Sequence, residues 1–281
     1  MLTIAYLGPQ HTYTHLAAQT RFGQRARYLH APTIDDVFRM VEGEKATYGV
    51  IPIENSLEGA VTYTLDRFTE FRHSPIKIHG EFERQVKHFF IKYAGTSPSN
   101  IKVVYSHPQA LAQCKDWLQE HYPRIQRWET NSTAEAAEYL CDRRSGGSWK
   151  LRERSAIGRR ALVKRGKSLV AIPIPQQREN KTRFLVIGLG EPKRSRRSKT
   201  SILFSVKDKP GALHDALLAF KRERINMTKI ESRPSKKKAW EYLFFVDIEG
   251  HESDAGVKRA LAALKRSTAL LRVLGSYPVA G

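Results

Sequence analysis

Apolar positions along the first two thirds of the chain fall alternately into strand-length runs and helix-spaced faces, which predicts an α/β layer architecture with largely parallel strands. Residues 2–7 read as a strand that Gly8-Pro9 turns. Thr33 stands where a helix cap belongs, and Ile34, Val37, Phe38 and Val41 keep the i, i+3, i+4, i+7 face behind it, with Asp36 as a short stand-in for the capping-box glutamate. Residues 48–53 form the next strand, and residues 76–92 alternate enough for one or two long strands that cross between lobes. A strand at 101–105 leads to Pro108 at a helix start, with Leu111, Cys114 and Leu118 on the buried face. The pattern repeats at 124–128, where Asn131 or Ser132 caps a helix carrying Ala134, Ala137 and Leu140. Leu185 to Gly188 reads as a buried strand.

Between Pro192 and Lys199 apolar residues vanish, which marks an exposed basic linker. Beyond it the order is strand 200–206, helix 211–224, strands 225–232 and 240–248, helix 254–265 and strand 270–275. That order is βαββαβ, a ferredoxin-like domain of about 80 residues.

Composition narrows the function classes. The apolar share, 41%, suffices for packed cores, and no apolar run approaches the ~18 residues of a membrane-spanning helix. The start of the chain lacks a basic leader region, so a cytoplasmic location is expected and no membrane partner. Cys114 and Cys141 show no metal-ligand spacing, so both read as small core residues and no metal is expected. Net charge is +20, from 48 basic against 28 acidic residues, which raises nucleic-acid binding. The basic residues are dispersed, with concentrations at Arg143-Arg144, Lys150 to Lys167, Pro192 to Lys199 and Lys236-Lys237-Lys238, and aromatics do not interleave with them. The expectation is therefore a solvated basic surface that attracts a dianionic small molecule, without a nucleic-acid partner.

The candidate chemistry is concentrated at strand ends. Thr182-Arg183 places a hydroxyl and a guanidinium at the entrance to the 185–188 strand. Glu54-Asn55-Ser56, Ser106-His107-Pro108-Gln109 and Asn131-Ser132-Thr133 each follow a predicted strand. Four hydrogen-bonding clusters at four strand ends read as one site. Five of these residues also have a plainer reading: Thr182 as a β-branched strand residue, Arg183 as an ion-pair residue at a sheet edge, Ser106 and Ser132 as helix caps, His107 as a packing or capping residue.

These residues resemble the prephenate dehydratase family over essentially the whole chain. The family's GPxGTxS-like opening, ENS, SHPQ, STAEA and TRF clusters are similar to Gly8 to Thr14, Glu54-Asn55-Ser56, Ser106 to Gln109, Ser132 to Ala136 and Thr182-Arg183-Phe184, in the same order. The tail resembles the regulatory ACT domain, whose GAL and ESRP motifs match Gly211-Ala212-Leu213 and Glu231-Ser232-Arg233-Pro234. His11 departs from the pattern by standing where the family has glycine.

The resemblance implies two α/β lobes similar to periplasmic solute-binding proteins, with the site between them. Residues 1–190 would be catalytic, with lobe one at about 1–75 and 170–190 and lobe two at about 76–169; residues 191–199 would be linker and 200–281 the ACT domain. It implies decarboxylating dehydration of prephenate without a cofactor. Thr182, Asn55, Gln109 and Ser106 would be catalytic, and Ser56, Ser132, Thr133, Arg183, Thr12 and Thr14 would bind substrate. L-phenylalanine would bind at Gly211, Ala212, Leu213, Glu231, Ser232, Arg233 and Pro234 in a homodimer or homotetramer. Helix starts after Ser106 and Asn131 are expected to aim free N–H groups at the anion.

Overall fold

The computed structural model describes residues 1–71, 73–142, 148–165, 168–175, 179–235 and 241–279. The basic clusters at Arg143-Arg144 and Lys236-Lys237-Lys238, and Trp240, where the pattern starts a strand, lie outside them. The chain divides into two compact units, residues 1–7, 17–84 and 182–281 in the first and residues 8–16 and 85–181 in the second.

The first unit is built on a sheet of β2 (Arg27–Ala31), β1 (Thr3–Leu7), β3 (Tyr48–Asn55), β11 (Lys181–Gly188) and β5 (Lys77–Gln85) in that order, with the short β4 (Gly59–Ala60) on β3. β1 runs parallel to β2 and β3, while β11 returns antiparallel to β3. Helix α1 (Tyr13–Phe22) follows β1. Helix α2 (Ile34–Glu42) starts at the expected cap, where Thr33 Oγ1 accepts from the Asp36 N–H at 3.1 Å and donates to its carboxylate at 2.6 Å. Its buried face is Ile34, Val37, Phe38 and Val41, and each such side chain contributes roughly 1.5–3 kcal/mol of burial. Phe38 meets Phe68 of α3 (Thr62–Glu70) edge to face, with ring centroids 5.2 Å apart.

The C-terminal part of this unit has the expected βαββαβ order: β12 (Ser198–Val206), α7 (Ala212–Arg222), β13 (Met227–Pro234), β14 (Tyr242–Glu249), α8 (Ala255–Ser267) and β15 (Thr268–Pro278). Its sheet runs β13-β14-β12-β15 and is antiparallel throughout. Ile202, Phe204, Val246 and Ile248 pack against Phe220 of α7 and Leu264 of α8. Leu203, Leu243, Phe245, Leu274 and Tyr277 join the core of the first sheet with Ile53, Leu65, Phe68 and Ile78. Because both faces of β12 are covered, it carries an unbroken apolar centre instead of an alternating one.

The second unit holds a sheet of β10 (Leu169–Pro173), β6 (Phe89–Tyr93), β9 (Arg154–Gly158), β7 (Val103–Ser106) and β8 (Gln126–Glu129). Its helices are α4 (Pro108–Gln113), α5 (Lys115–His121) and α6 (Thr133–Cys141). Two apolar clusters cover the sheet, one around Phe90, Val104, Leu111 and Leu118 and the other around Tyr105, Ala137, Leu140 and Leu162. The Arg154 guanidinium is buried and donates to the carbonyls of Tyr139 at 3.0 Å, Asp142 at 2.9 Å and Trp149 at 2.9 Å, so it ties the end of α6 and the backbone at Trp149 to the sheet.

Four details differ from the sequence-based expectation. Both α/β sheets are mixed, because β11 runs against β3, and β10 and β9 both run against β6. The chain leaves the first unit after Arg84 rather than near Pro75, since β5 is hydrogen-bonded into the first sheet, and β10 belongs to the second. Lys199 is a buried strand residue, not exposed linker, with its ammonium 2.7 Å from Glu81. Cys141 is exposed at the end of α6, whereas Cys114 is a core residue whose thiol burial pushes up to about 12.

Candidate functional site

In the first unit, the antiparallel register of β3 and β11 sets Thr182 directly opposite Asn55. Asn55 is buried, and its Oδ1 accepts from the backbone N–H groups of Leu57 at 3.0 Å and Glu58 at 3.2 Å. Those two bonds fix the amide orientation. Nδ2 is therefore the end that donates to Thr182 Oγ1 at 3.0 Å. With Asn55 donating to its oxygen, Thr182 keeps its own proton for an external acceptor, and the incoming bond polarises that O–H further. Thr182 is half-buried, and Ser56 beside it is exposed.

Side chains alternate along strands, so Glu54 and Arg183 lie on the opposite face from Asn55 and Thr182. The sequence allowed Arg183 a substrate carboxylate; instead its fork is taken by three of the protein's own, Glu54 at 2.6 Å, Glu81 at 3.0 Å and Asp247 at 3.1 Å. The geometry is that of an ion-pair residue, though not one at a sheet edge, since β11 lies between β3 and β5. Although burial lowers the guanidinium's proton affinity, the carboxylates of Asp247, Glu81 and Glu54 outweigh it and hold the charge firmly. Register shifts between Arg183 and Phe184, a bulge next to the catalytic candidate.

The second unit carries the remaining clusters. Ser106 is fully buried, and its hydroxyl donates to the Ile157 carbonyl at 2.8 Å, which gives it a structural role in place of the catalytic one. His107 caps α4, Nδ1 accepting from Gln109 N–H at 3.3 Å, and the Gln109 side chain is exposed. Ser132 caps α6 by accepting from Glu135 N–H at 3.0 Å, and Thr133 opens that helix. The two helix starts expected to face an anion have these surroundings. α4 has only 6 residues, too few to build an end charge, and at α6 the carboxylate of Glu135 already accepts from Asn131 N–H at 2.8 Å.

At the opening cluster, Thr12 Oγ1 accepts from His15 N–H at 3.3 Å, and Thr14 is buried. His11 adopts φ 68, the left-handed conformation glycine takes without penalty. His11 N–H donates to His15 Nδ1 at 2.9 Å, and the buried Arg159 guanidinium donates to the His11 carbonyl and lies 5.7 Å from the Tyr13 ring centroid. Arg159 thus supports a turn that sequence reasoning left to the loop alone.

Sequence reasoning also missed a chain of polar groups behind it. Gln113 Oε1 accepts from Asn180 Nδ2 at 2.8 Å and from His88 Nε2 at 2.9 Å, which places the His88 proton on Nε2. Burial depresses the His88 pKa, with the Gln113 bond opposing only in part. His79 and His107 are lowered for the same first cause. The unfolded chain takes up protons near the ordinary histidine value of ~6.5 while the folded groups resist, so this stability is complete above that value and declines as pH falls toward the folded values. Thermal unfolding followed by circular dichroism is expected to show a midpoint that drops between about pH 7 and pH 5, less steeply in His88→Gln. Equal pH slopes for parent and variant would remove His88 from this account.

Of the expected effector residues, Gly211 sits at φ 76 ahead of α7, and Gly211, Ala212 and Leu213 line a cavity of about 590 Å³ with Val206, His214 and Phe244. Glu231 to Pro234 lie on β13 and are not on that lining. Arg233 instead reaches Asp66 of α3, with Nε 3.2 Å from Oδ1.

Comparison with known proteins places these features in a family context. Residues 4–192 match the family model for prephenate dehydratase, and residues 200–266 the model for the ACT domain. The chain is 47% identical over 280 residues to a bifunctional chorismate mutase/prephenate dehydratase of Aquifex aeolicus, spanning 99% of this chain and 74% of that protein. It is 37% identical over 251 residues to a prephenate dehydratase of Methanocaldococcus jannaschii, spanning 88% of this chain and 86% of that one. Among solved structures, a prephenate dehydratase from Arthrobacter aurescens in complex with L-Phe superposes with TM-score 0.87 at 30% identity, over 99% of this chain and 90% of that one.

Proposed function

Since the chain belongs to the prephenate dehydratase family and carries an ACT domain at its C-terminal end, we propose that it converts prephenate to phenylpyruvate with Thr182 as the hydroxyl that assists departure of the ring oxygen. The observation that supports this reading is the Asn55–Thr182 bond of 3.0 Å, in which the threonine oxygen accepts and its own proton stays available for a substrate oxygen. In the reaction the ring carboxylate leaves as carbon dioxide, its bonding pair enters the ring, and the carbon–oxygen bond to the ring hydroxyl breaks as the ring becomes aromatic. The departing hydroxide takes up a proton and leaves as water.

A threonine hydroxyl is too weak an acid to be the net proton source, so Thr182 donates a hydrogen bond or relays a proton from water. The carboxylate that becomes carbon dioxide loses its charge, and a tight cationic partner would hold the ground state back. Neutral donors suit that group: Ser132, Thr133, Ser56, Thr12 and Thr14 remain the proposed substrate contacts, and Gln109 remains a proposed catalytic residue beside Thr182 and Asn55. Arg183 is withdrawn from that set because carboxylates fill its fork. The net charge of +20 favours capture of a dianionic substrate and makes its on-rate fall with salt.

Phenylalanine is the proposed effector, bound at Gly211, Ala212 and Leu213, with Glu231, Ser232 and Pro234 closing over it from a second copy in a homodimer or homotetramer, while Arg233 is engaged with Asp66. It must bind one global state more tightly than another, and a coupling of ~1–3 kcal/mol shifts substrate affinity about 5- to 150-fold. The test incubates the protein separately with prephenate and arogenate and identifies the aromatic product, with and without phenylalanine. Phenylpyruvate formed from prephenate and suppressed by phenylalanine is expected. Phenylalanine formed from arogenate alone would reassign the substrate, and activity and sedimentation indifferent to phenylalanine would remove the effector.

A further inference from the structure

Arg183, Lys199 and Lys229 meet Glu54, Glu81 and Asp247 in one cluster, three positive groups against three negative. Beyond the Arg183 contacts, Lys229 lies 3.0 Å from Glu54 and Lys199 lies 2.7 Å from Glu81. Glu81 and Asp247 are 2% and 11% exposed at the side chain, Lys199 and Lys229 10% and 11%. This is the interior arrangement in which losing one partner strands another charge.

The cluster's members come from two domains. Glu54, Glu81 and Arg183 belong to the catalytic sheet, whereas Lys199, Lys229 and Asp247 belong to β12, β13 and β14 of the ACT sheet. Lys229 and Asp247 face one another in the register of β13 and β14. Asp247 is oriented further by the Ser201 hydroxyl at 2.6 Å, which itself lies 2.7 Å from the Tyr277 hydroxyl. On the catalytic side, Glu54 is the residue before Asn55 and Arg183 the residue after Thr182, and the register pairs Glu54 with Arg183 next to Asn55 with Thr182. The ACT domain therefore grips the two side chains whose backbone carries the catalytic pair.

We propose that Lys229 and Asp247 are positioning residues for the Asn55–Thr182 pair, acting through Glu54 and Arg183. The proposal rests on Thr182 serving the reaction as read above. Hydrogen bonds of this kind tolerate little displacement, and a shift of about 1 Å costs on the order of 100-fold in rate. Burial pushes the Glu54 carboxyl up, but Lys229 and then Arg183 outweigh it and keep it below the ordinary range, so Glu54 stays ionised near neutral pH. Glu81, Lys199, Asp247 and Tyr277 complete the groups around it.

The experiment uses the full chain with Lys229→Met, Lys229→Arg and Asp247→Asn, each checked for folding by circular dichroism. Initial rates with prephenate are measured without phenylalanine across pH. Lys229→Met is expected to lower kcat about 10- to 100-fold with KM near the parent's, because the loss lies in alignment and not in substrate contact. Lys229→Arg restores most of it. Asp247→Asn, which keeps shape and the Ser201 bond while removing charge, lowers kcat in the same way. In Lys229→Met the acid limb of the kcat profile also moves to higher pH, since Glu54 loses the cation that holds its carboxyl down. A folded Lys229→Met with the parent's kcat and pH profile overturns the proposal; if that variant does not fold, parent kcat in folded Asp247→Asn does so. Either result leaves Thr182 untouched as long as Thr182→Ala remains impaired, and a fully active Thr182→Ala removes the underlying reading instead.

Discussion

Thr182→Ala is expected to cut kcat for prephenate by about 10²- to 10⁴-fold, the range ascribed to a positioned proton donor, while KM changes little. Asn55 Nδ2 occupies one acceptor site on the oxygen of Thr182, and Asn55 is locked in that orientation by the Leu57 and Glu58 N–H groups, so the oxygen is held in place and the hydroxyl's proton is left to donate. Hydroxide is a poor leaving group, and a donor that meets it only as charge develops lowers the barrier without tightening substrate binding. Thr182→Ser keeps the hydroxyl and should retain much of the rate, the missing methyl group costing only rotamer restriction. Initial-rate kinetics on the three proteins check this. Turnover by the alanine variant at the parent rate would end Thr182's role whatever the family.

Gly275→Ala is expected to cost about 2–6 kcal/mol of stability, which is a large share of the ~5–15 kcal/mol typical of a folded domain. Gly275 lies in β15 at φ +155, where a Cβ would overlap the Ile78 carbonyl oxygen and stand 2.9 Å from the Ile78 nitrogen. Both are backbone atoms of β5, so no side chain can rotate aside. The ACT sheet would have to lift from the catalytic sheet, opening the core that Leu274 and Tyr277 share with Ile53 and Ile78. Gly256→Ala is the matched control. It lies within α8 with ordinary contacts, 3.7 Å to Glu223, and alanine should there be neutral or stabilising by up to about 1 kcal/mol. Thermal and urea unfolding of the pair reads the difference, and two similar midpoints would refute the close contact.

Periodicity made the elements legible and left their partners obscure. The α2 face and its Thr33 cap, the βαββαβ order, and the strand ends that carry Asn55 and Thr182 all follow from local spacing, which is where a 3.6- or 2-residue repeat carries information. Strand direction is not local. That β11 returns antiparallel beside β3 depends on a connection through the whole second unit, and only that return makes Thr182 a neighbour of Asn55. The ion cluster was hidden in the same manner, since Glu81, Lys199, Lys229 and Asp247 lie far apart in sequence. A signal did exist: Asp247 interrupts the apolar run Phe244-Phe245-Val246-Ile248, and a lone charge in a buried strand calls for a partner. Arg183 misled because a guanidinium at a strand end fits a substrate carboxylate and an internal one equally well. Ser106 misled for a related reason, as its burial is decided by β9, whose Ile157 carbonyl takes the hydroxyl.

The measurement that bears most directly on the site is a double-mutant cycle in kcat for phenylpyruvate formation, with Asn55→Ala, Thr182→Ala and the two combined. If Asn55 acts by orienting and polarising the Thr182 hydroxyl, each single variant is slow and the double variant is little slower than Thr182→Ala alone. Losses that multiply, so that the double variant is slower by the product of the two single effects, would show the residues working independently and would contradict the account.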